Sequence, residues 1–297
     1  MRIRQWVKNV FVFLPLFFSG GILNGGEWIA SILAAAAFCL ASSAVYCLND
    51  VLDFRADREH PVKRLRPVAS GAVSPRAALI LAALCVAGAF APAFLPRIFP
   101  FAAIEESITS GASKRLALII GIYLLLNAAY CIRIKHIALI DVFTIAIGYV
   151  LRVLAGGAMT GIRVSPWLIC MTYLLALFLA FGKRRDDVLN NERGETVTRR
   201  HTLSFNRPFL DITLGVLSTV AIVSYVMYCM SPEVMKRLGS DCVYVTAVFV
   251  LLGMIRYLQL AIVEGRSGAP TDIVLKDGMI RFAVIGWIIS YAIILYF

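Results

Sequence analysis

Nine apolar runs divide the chain, at roughly 9–24, 28–48, 76–96, 116–134, 138–159, 165–183, 209–230, 241–262 and 279–297. Most are close to the ~20 residues that cross a bilayer as a helix. In hydrocarbon every backbone N–H and C=O must be satisfied within the protein, and for runs of this length that means helices. The expected fold is all-α, a polytopic membrane protein with nine transmembrane helices. Composition agrees, since 60% of the 297 residues are hydrophobic, against about 45–50% in a soluble domain. The first run is short, and Pro15 and the Gly20-Gly21 pair are expected to kink or end it. Arg2, Arg4 and Lys8 ahead of Val10–Phe18 have the outline of a secretory signal. No A-x-A-like site follows, so the run is read as the first span. The seven cysteines form no C-x-x-C pair, and they read as small buried hydrophobes.

The net charge of +11 is not a nucleic-acid signal here, because the basic residues lie between the apolar runs. With the N-terminus on the cytoplasmic side, 21 of the 29 Lys and Arg residues fall in cytoplasmic segments. The other side holds Arg97, Lys114, Arg115, Arg163, Lys236 and Arg237, and Arg152 and Arg256 fall inside spans. Such a bias predicts a cytoplasmic N-terminus and, with nine spans, an external C-terminus. The main cytoplasmic motif loops are then 49–75, 183–208 and 263–278. The segment 97–115, with Pro96, Pro100, Glu105 and Glu106, is the largest excursion on the outer side and carries no evident chemistry.

The densest chemistry lies in residues 49–71. Asn49, Asp53 and Asp57 recur every fourth residue, and Asp50 stands beside them. On a helix these groups share one face, about 6 Å apart per step. Stacked carboxylates repel, and a divalent cation is the obvious compensation. Magnesium takes one or two carboxylates and completes its shell with water and substrate phosphates. Lys63, Arg64 and Arg66 follow as a basic cluster suited to phosphate groups. A second cluster, Lys183-Arg184-Arg185-Asp186-Asp187, sits at the inner end of the sixth run. Membrane anchors need bases but not carboxylates, so the acids favour a functional reading. A third group lies between Tyr130 and Asp141, with Arg133, Lys135 and His136. Arg152 follows Asp141 on the same helix face but about 16 Å away along the axis. An arginine in hydrocarbon is costly and is a functional candidate, or else has a structural partner on another helix. Arg4-Gln5-Trp6-Val7-Lys8-Asn9 and Gly268–Asp277 would by themselves be an interfacial anchor and a polar loop. His60, His136 and His201 have no metal-ligand spacing, and no glycine-rich phosphate cradle occurs.

The pattern N-D-x-x-D-x-x-x-D-R resembles that of the UbiA superfamily of intramembrane prenyltransferases. Its longer form through Gly71, N-D-x-x-D-x-x-x-D-R-x-H-P-x-K-R-x-R-P-x-A-x-G, is similar to the decaprenyl-phosphate phosphoribosyltransferase branch. The stretches Arg4–Asn9, Lys135–Asp141 with Arg152, Gly182–Arg185 and Pro270–Asp277 agree with that branch, so the resemblance covers nearly the whole chain. It implies one UbiA-like domain over residues 1–297, built around a central cavity facing the cytoplasm. The branch pattern ends its second acidic motif in Glu, where this chain has Asp187 with Asp186 beside it. The loop 97–115 is long for the branch.

The resemblance also implies an enzyme. A 5-phosphoribosyl group would pass from phosphoribosyl diphosphate to a polyprenyl phosphate, with Mg2+ as cofactor. Asn49, Asp50, Asp53 and Asp57 would be the metal set, and Asp53, Asp57 and Asp187 the catalytic acids. Arg58, Lys63, Arg64, Arg66, Lys183, Arg184 and Arg185 would hold the diphosphate and ribose phosphate. Gln5, Lys8, Tyr130, Lys135 and Arg152 would face the acceptor phosphate. The expected location is the cell (inner) membrane, with no nucleic-acid partner and homo-oligomerisation left open. The alternatives are a sibling prenyltransferase that uses a prenyl diphosphate donor on an aromatic or other acceptor, and a lipid transporter or flippase.

Overall fold

The structure, a computed structural model, describes residues 3–59, 63–98, 111–193, 204–265, 273 and 276–296. Among the described residues there is no strand. Eight helices among the described residues are long and apolar enough to cross a membrane: α2 (Gly25–Leu52), α4 (Pro75–Ile98), α5 (Ala112–Ile132), α6 (Ile140–Thr160), α7 (Pro166–Glu192), α8 (Arg207–Cys229), the run Cys242–Val263 containing α10 (Ala247–Leu258), and α11 (Gly278–Tyr296). The ninth expected span is of another kind. It is a 3₁₀ segment, Ile3–Phe13, followed by the short helix α1, Leu14–Ser19. Gly20 ends α1 in the left-handed conformation at φ 81°, as the glycine pair suggested.

The chain divides into two compact units, Met1–Ile169 and Cys170–Phe297. In the first, α2 packs against α4, α5 and α6. Its contact face is a stripe of Ala30, Ala34, Ala37 and Ala41, all fully buried, with Phe38 among them. Ala89 and Ala93 of α4 belong to the same core. Lipid tails are as apolar as leucine, so helices in a membrane associate through close packing, and small residues permit it. The outward faces carry Leu118, Ile122 and Leu125 on α5 and Ile212, Val216 and Val220 on α8, all exposed. Exposed leucines and isoleucines on this scale suit lipid rather than water.

The N-terminal segment is an integral part of the first unit. Val12 is fully buried, and the Phe11 ring meets Tyr149 of α6 edge-on at 4.9 Å. α6 approaches so closely that a Cβ on Gly156 would lie 1.9 Å from the carbonyl oxygen of Val12.

In the second unit, α8 and α11 pack on α10. At the end of α8 near Cys229 lies a network of buried hydroxyls. Tyr228 pairs with Tyr291 at 2.5 Å, Tyr225 with Thr246 at 2.7 Å, and the Trp287 indole donates to Tyr225 at 2.6 Å. The short helix α9 (Pro232–Leu238) contributes Arg237, which donates to the Tyr228 hydroxyl. All seven cysteines are free thiols. Cys47, Cys85, Cys131 and Cys229 are buried as expected, whereas Cys170 and Cys242 are exposed.

Two helices are longer than the membrane requires. α2 has 28 residues and α7 has 27, so each spans about 40 Å against ~30 Å of hydrocarbon. The polar ends expected as loops therefore begin as helix: Asn49–Leu52 belongs to α2, and Lys183–Glu192 belongs to α7. The expected outer loop 97–115 is trimmed from both sides, because α4 runs to Ile98 and α5 starts at Ala112. Its residues 99–110 lie outside the described set, as do 194–203 and 266–272 of the other two expected loops.

Gly156→Ala should cost about 1–3 kcal/mol, because the methyl group meets a backbone oxygen that cannot turn away. A lowered thermal midpoint in detergent, with unchanged membrane insertion, is the expected result.

Candidate active site

The acidic face forms, with a break in it. α2 ends at Leu52, Asp53 caps it at φ −96° and ψ 2°, and the short helix α3 (Phe54–Glu59) follows. The four-residue repeat nevertheless survives in the backbone. The Asp53 amide bonds the Asn49 carbonyl, and the Asp57 amide bonds the Asp53 carbonyl, both at 2.9 Å.

Two basic side chains meet these carboxylates. Arg66 Nη1 lies 2.5 Å from Asp57 Oδ2 and 3.6 Å from Asp50 Oδ1. Lys135 Nζ lies 2.5 Å from Asp53 Oδ1. Asp50, Asp57 and Lys135 are buried, so these pairs are far less screened than surface ion pairs. Among the described residues no three acidic, histidine or cysteine side chains converge on a common point that a metal could fill.

Arg66 is aimed by the turn that carries it. Its amide bonds the Lys63 carbonyl, Ser70 bonds back to Arg66, and Val73 bonds Pro67. Val68 and Ala69 are buried, and Gly71 reverses the chain at φ 83°. Arg58 of α3 ties the turn down with a 3.1 Å bond from Nε to the Ala69 carbonyl, while its guanidinium lies over the Phe54 ring. Arg64 is exposed and Lys63 half-buried. His60, Pro61 and Val62 of this motif lie outside the described residues.

Lys135 comes from the α5–α6 connection, on the 3₁₀ turn Ile134–His136. The chain then enters α6 through Leu139, which has φ 68° and ψ −54°. With the Ile140 amide bonded to the Ala138 carbonyl, this is the rare, strained γ-turn. A leucine at positive φ persists only where surrounding structure enforces it. Here the strained turn lies between buried Lys135 and buried Asp141.

Arg152 proves to be a hub of the first unit. Its Nε donates to Asn9 Oδ1 at 2.9 Å, Nη1 to the Gly148 carbonyl at 2.6 Å and Nη2 to the Tyr123 hydroxyl at 3.1 Å. The rings of Phe38, Tyr123 and Tyr149 lie within 6 Å of its guanidinium carbon, a cation–π cage. Asn9 also reaches Cys39, and Trp6 donates to Ser43. The segment bearing Gln5 and Lys8 is thereby fastened to α2 and α6. Gln5, Lys8 and Tyr130 are each half-buried.

In the second unit, Lys183 is exposed at the end of α7, while Arg184 pairs with Asp187 at 2.8 Å. Arg185 is completely buried. It donates to Asp211 of α8 at 2.5 Å and to the Ala261 carbonyl. Ala261 lies in the π-helical turn Gln259–Val263 that follows α10, where the widened backbone offers that carbonyl to a side chain. Gly182 makes room for Tyr257, whose hydroxyl would lie 2.3 Å from an added Cβ. Asp186 accepts from Asn190. Just before the π turn, Arg256 of α10 binds Asp277, Gln259 and Glu264. The Arg256 guanidinium, together with the Ile280 amide, holds the Asp277 carboxyl below the usual carboxylate range. Asp211 was missed as a partner, although an acid just inside an apolar run is the available signal.

The profile of the UbiA prenyltransferase family matches residues 10–276. The chain belongs to the UbiA prenyltransferase family. It is 30% identical over 298 residues to the decaprenyl-phosphate phosphoribosyltransferase of Corynebacterium glutamicum, covering 100% of this chain and 85% of the relative. To the Mycolicibacterium smegmatis protein of the same name it is 30% identical over 307 residues, covering 100% and 91%. A solved UbiA homolog from Archaeoglobus fulgidus bound to DMAPP and Mg2+ shares the fold, with a TM-score of 0.69 at 16% identity, covering 100% of this chain and 98% of that one. This UbiA protein is thus a multi-pass integral membrane enzyme, a transferase.

The acidic face has the donor chemistry that a hard divalent cation takes. It offers hard oxygen donors, three carboxylates and the Asn49 amide within nine residues, to an ion that prefers oxygen and needs few protein ligands. Asp53 and Asp57 would hold it, with Asn49 and Asp50 beside them.

Arg152→Leu should lower stability by about 2–4 kcal/mol, since it orphans several buried acceptors at once. The readout is the thermal midpoint in detergent. Asp277 gives a pH test. Its carboxyl is depressed in the folded state, so its stabilisation holds above the unfolded value near 3.8 and fades as pH falls through the folded one. Asp277→Asn should melt lower than the native protein at pH 7, and the two curves should converge toward pH 3.

Proposed function

We propose that this protein transfers the 5-phosphoribosyl group of phosphoribosyl diphosphate to a polyprenyl phosphate in a magnesium-dependent reaction. The products are polyprenyl-phosphoryl-5-phosphoribose and diphosphate. The observation that carries this reading is the 30% identity, along the entire chain, to enzymes named for that branch. The basic turn supports it, because its Arg66 pairs with Asp57 and lies 3.6 Å from Asp50, two of the proposed metal ligands.

In the proposed reaction an acceptor phosphate oxygen attacks C1 of the ribose as the bond from C1 to the diphosphate oxygen breaks. The acceptor is already anionic at neutral pH, so no strong general base is required. When bound, magnesium neutralises charge on the departing diphosphate. Arg58, Lys63, Arg64 and Arg66 are proposed to bind the diphosphate and the ribose phosphate. Gln5, Lys8 and Tyr130 are proposed for the acceptor phosphate; Lys135, expected there from the sequence, pairs with Asp53 and is proposed instead for the donor diphosphate, with Arg152 acting mainly to hold the segment that carries Gln5 and Lys8. Lys183 and Arg184 are proposed as a second phosphate-binding pair, Asp187 as the acid that orients Arg184, and Arg185 as the buried pin that fixes the end of α7. The bias of Lys and Arg supports a cytoplasmic N-terminus, which would put the acidic helix end on the side where phosphorylated sugars are made.

A prenyl diphosphate donor with an aromatic acceptor is the second reading, supported by the DMAPP bound to the Archaeoglobus homolog. The test uses membranes containing the protein in two tubes. One receives labelled phosphoribosyl diphosphate and polyprenyl phosphate, the other labelled prenyl diphosphate and an aromatic acceptor. Label should enter lipid in the first tube. Product formed in the second tube alone would reverse the choice. Asp53→Asn and Asp57→Asn should each reduce transfer by ~100-fold or more, the scale of losing one charge-stabilising group at a reacting centre, while still reaching the membrane. Full activity of both variants in excess chelator would sink the metal assignment.

A further inference from the structure

We propose that Lys135 and Arg66 are resident counter-cations of the acidic face, exchanged for a divalent ion only when a diphosphate arrives to take them. The proposal rests on the metal–diphosphate reading above and deepens it.

The geometry carries it. Each carboxylate of the face is met by protein rather than left to solvent: Asp53 by Lys135 at 2.5 Å, Asp57 by Arg66 at 2.5 Å, and Asp50 by Arg66 at 3.6 Å. Lys135 and Arg66 thus act as counter-cations to these carboxylates. A divalent ion that engages Asp53 and Asp57 competes with Lys135 and Arg66 for these carboxylates and is repelled by both cations. Lys135 has only 4% of its side chain exposed, so water cannot readily solvate it once displaced. A buried cation deprived of its partner is strongly unfavourable. Metal alone is therefore disfavoured, and so is diphosphate alone, which would crowd its own charge against the carboxylates. Together they satisfy every group, with the metal on the acids and the freed ammonium and guanidinium on phosphate oxygens.

The backbone keeps both cations in reach of either partner. Arg66 is mounted on the turn held by Arg58, Val68, Ala69 and Gly71. Lys135 sits on the 3₁₀ turn followed by the strained Leu139. Neither turn needs to move for a side chain to swing from carboxylate to phosphate. The consequence is a donor site that assembles only around the metal–diphosphate pair, so a donor bearing a single phosphate would not complete it.

The test uses the full-length protein in detergent, with Mn2+ as a spectroscopic probe and labelled inorganic diphosphate. With Mn2+ alone, Lys135→Met and Arg66→Met should each bind the ion about tenfold more tightly than the native protein. At a fixed Mn2+ concentration, both should retain the diphosphate at least tenfold more weakly. Lys135→Arg, which keeps the charge, should stay near native in both measurements. Mn2+ alone should also raise the thermal midpoint of Lys135→Met and Arg66→Met more than that of the native protein, as the ion replaces the missing cation. Metal affinity in the two Met variants equal to or below native, or unchanged diphosphate retention, would overturn the exchange. Neither measurement uses a ribosyl or prenyl donor, so this result is independent of which group the enzyme transfers. Failure of the two-donor assay with the exchange intact would overturn only the donor.

Discussion

The acidic end of α2 exists because two cations from other parts of the chain hold it together. Asp50, Asp53 and Asp57 fall within two helical turns at the edge of a hydrocarbon-embedded helix, and three carboxylates so placed repel one another. Arg66 and Lys135 relieve that repulsion in the first unit. Around this requirement much of the local backbone is arranged. The loop after α3 must fold back to deliver Arg66, and the α5–α6 connection must tighten, through a strained leucine, to deliver Lys135.

The other buried arginines face the same problem and meet it differently. Arg152 has no carboxylate among its hydrogen-bond partners; it is held by an amide, a carbonyl, a phenol and three aromatic rings. Spread over neutral dipoles and ring faces, its charge remains a fixed positive feature inside the first unit. Arg185 is neutralised by Asp211 and anchored to a carbonyl exposed by a π turn. One arginine therefore fastens the N-terminal segment and the other fastens α7 to its neighbours. These roles lie in packing, whereas those of Lys135 and Arg66 lie beside the proposed chemistry.

A family resemblance and a geometric reading meet at residues 49–71. The spacing of Asn49, Asp53 and Asp57 pointed to one helical face, and the backbone bonds keep that face despite the break at Asp53. The answer to the repulsion differed. Spacing suggested a metal, and the fold supplies lysine and arginine. These answers are compatible if the cations and the metal take turns, because a phosphate-binding cation beside a metal-binding acid is what a diphosphate requires.

Sequence alone determined the membrane-spanning, all-helical class, because runs of ~20 apolar residues permit little else in hydrocarbon. Eight of the nine runs became spanning helices with ends within about four residues of their expected positions, except that α7 continues nine residues past its expected end, to Glu192. It also determined the acidic repeat, a local property of i, i+4 spacing. Which cation meets which acid was not legible: Lys135 stands 82 positions from Asp53, and Arg152 stands 143 from Asn9. Such pairings depend on how helices dock, and in a membrane docking follows small-residue stripes and close backbone approaches that hydropathy does not encode. The 3₁₀ form of the first segment, the γ-turn at Leu139 and the π turn at Gln259–Val263 were hidden for the same reason. Each is a backbone distortion accepted locally because tertiary contacts hold it in place.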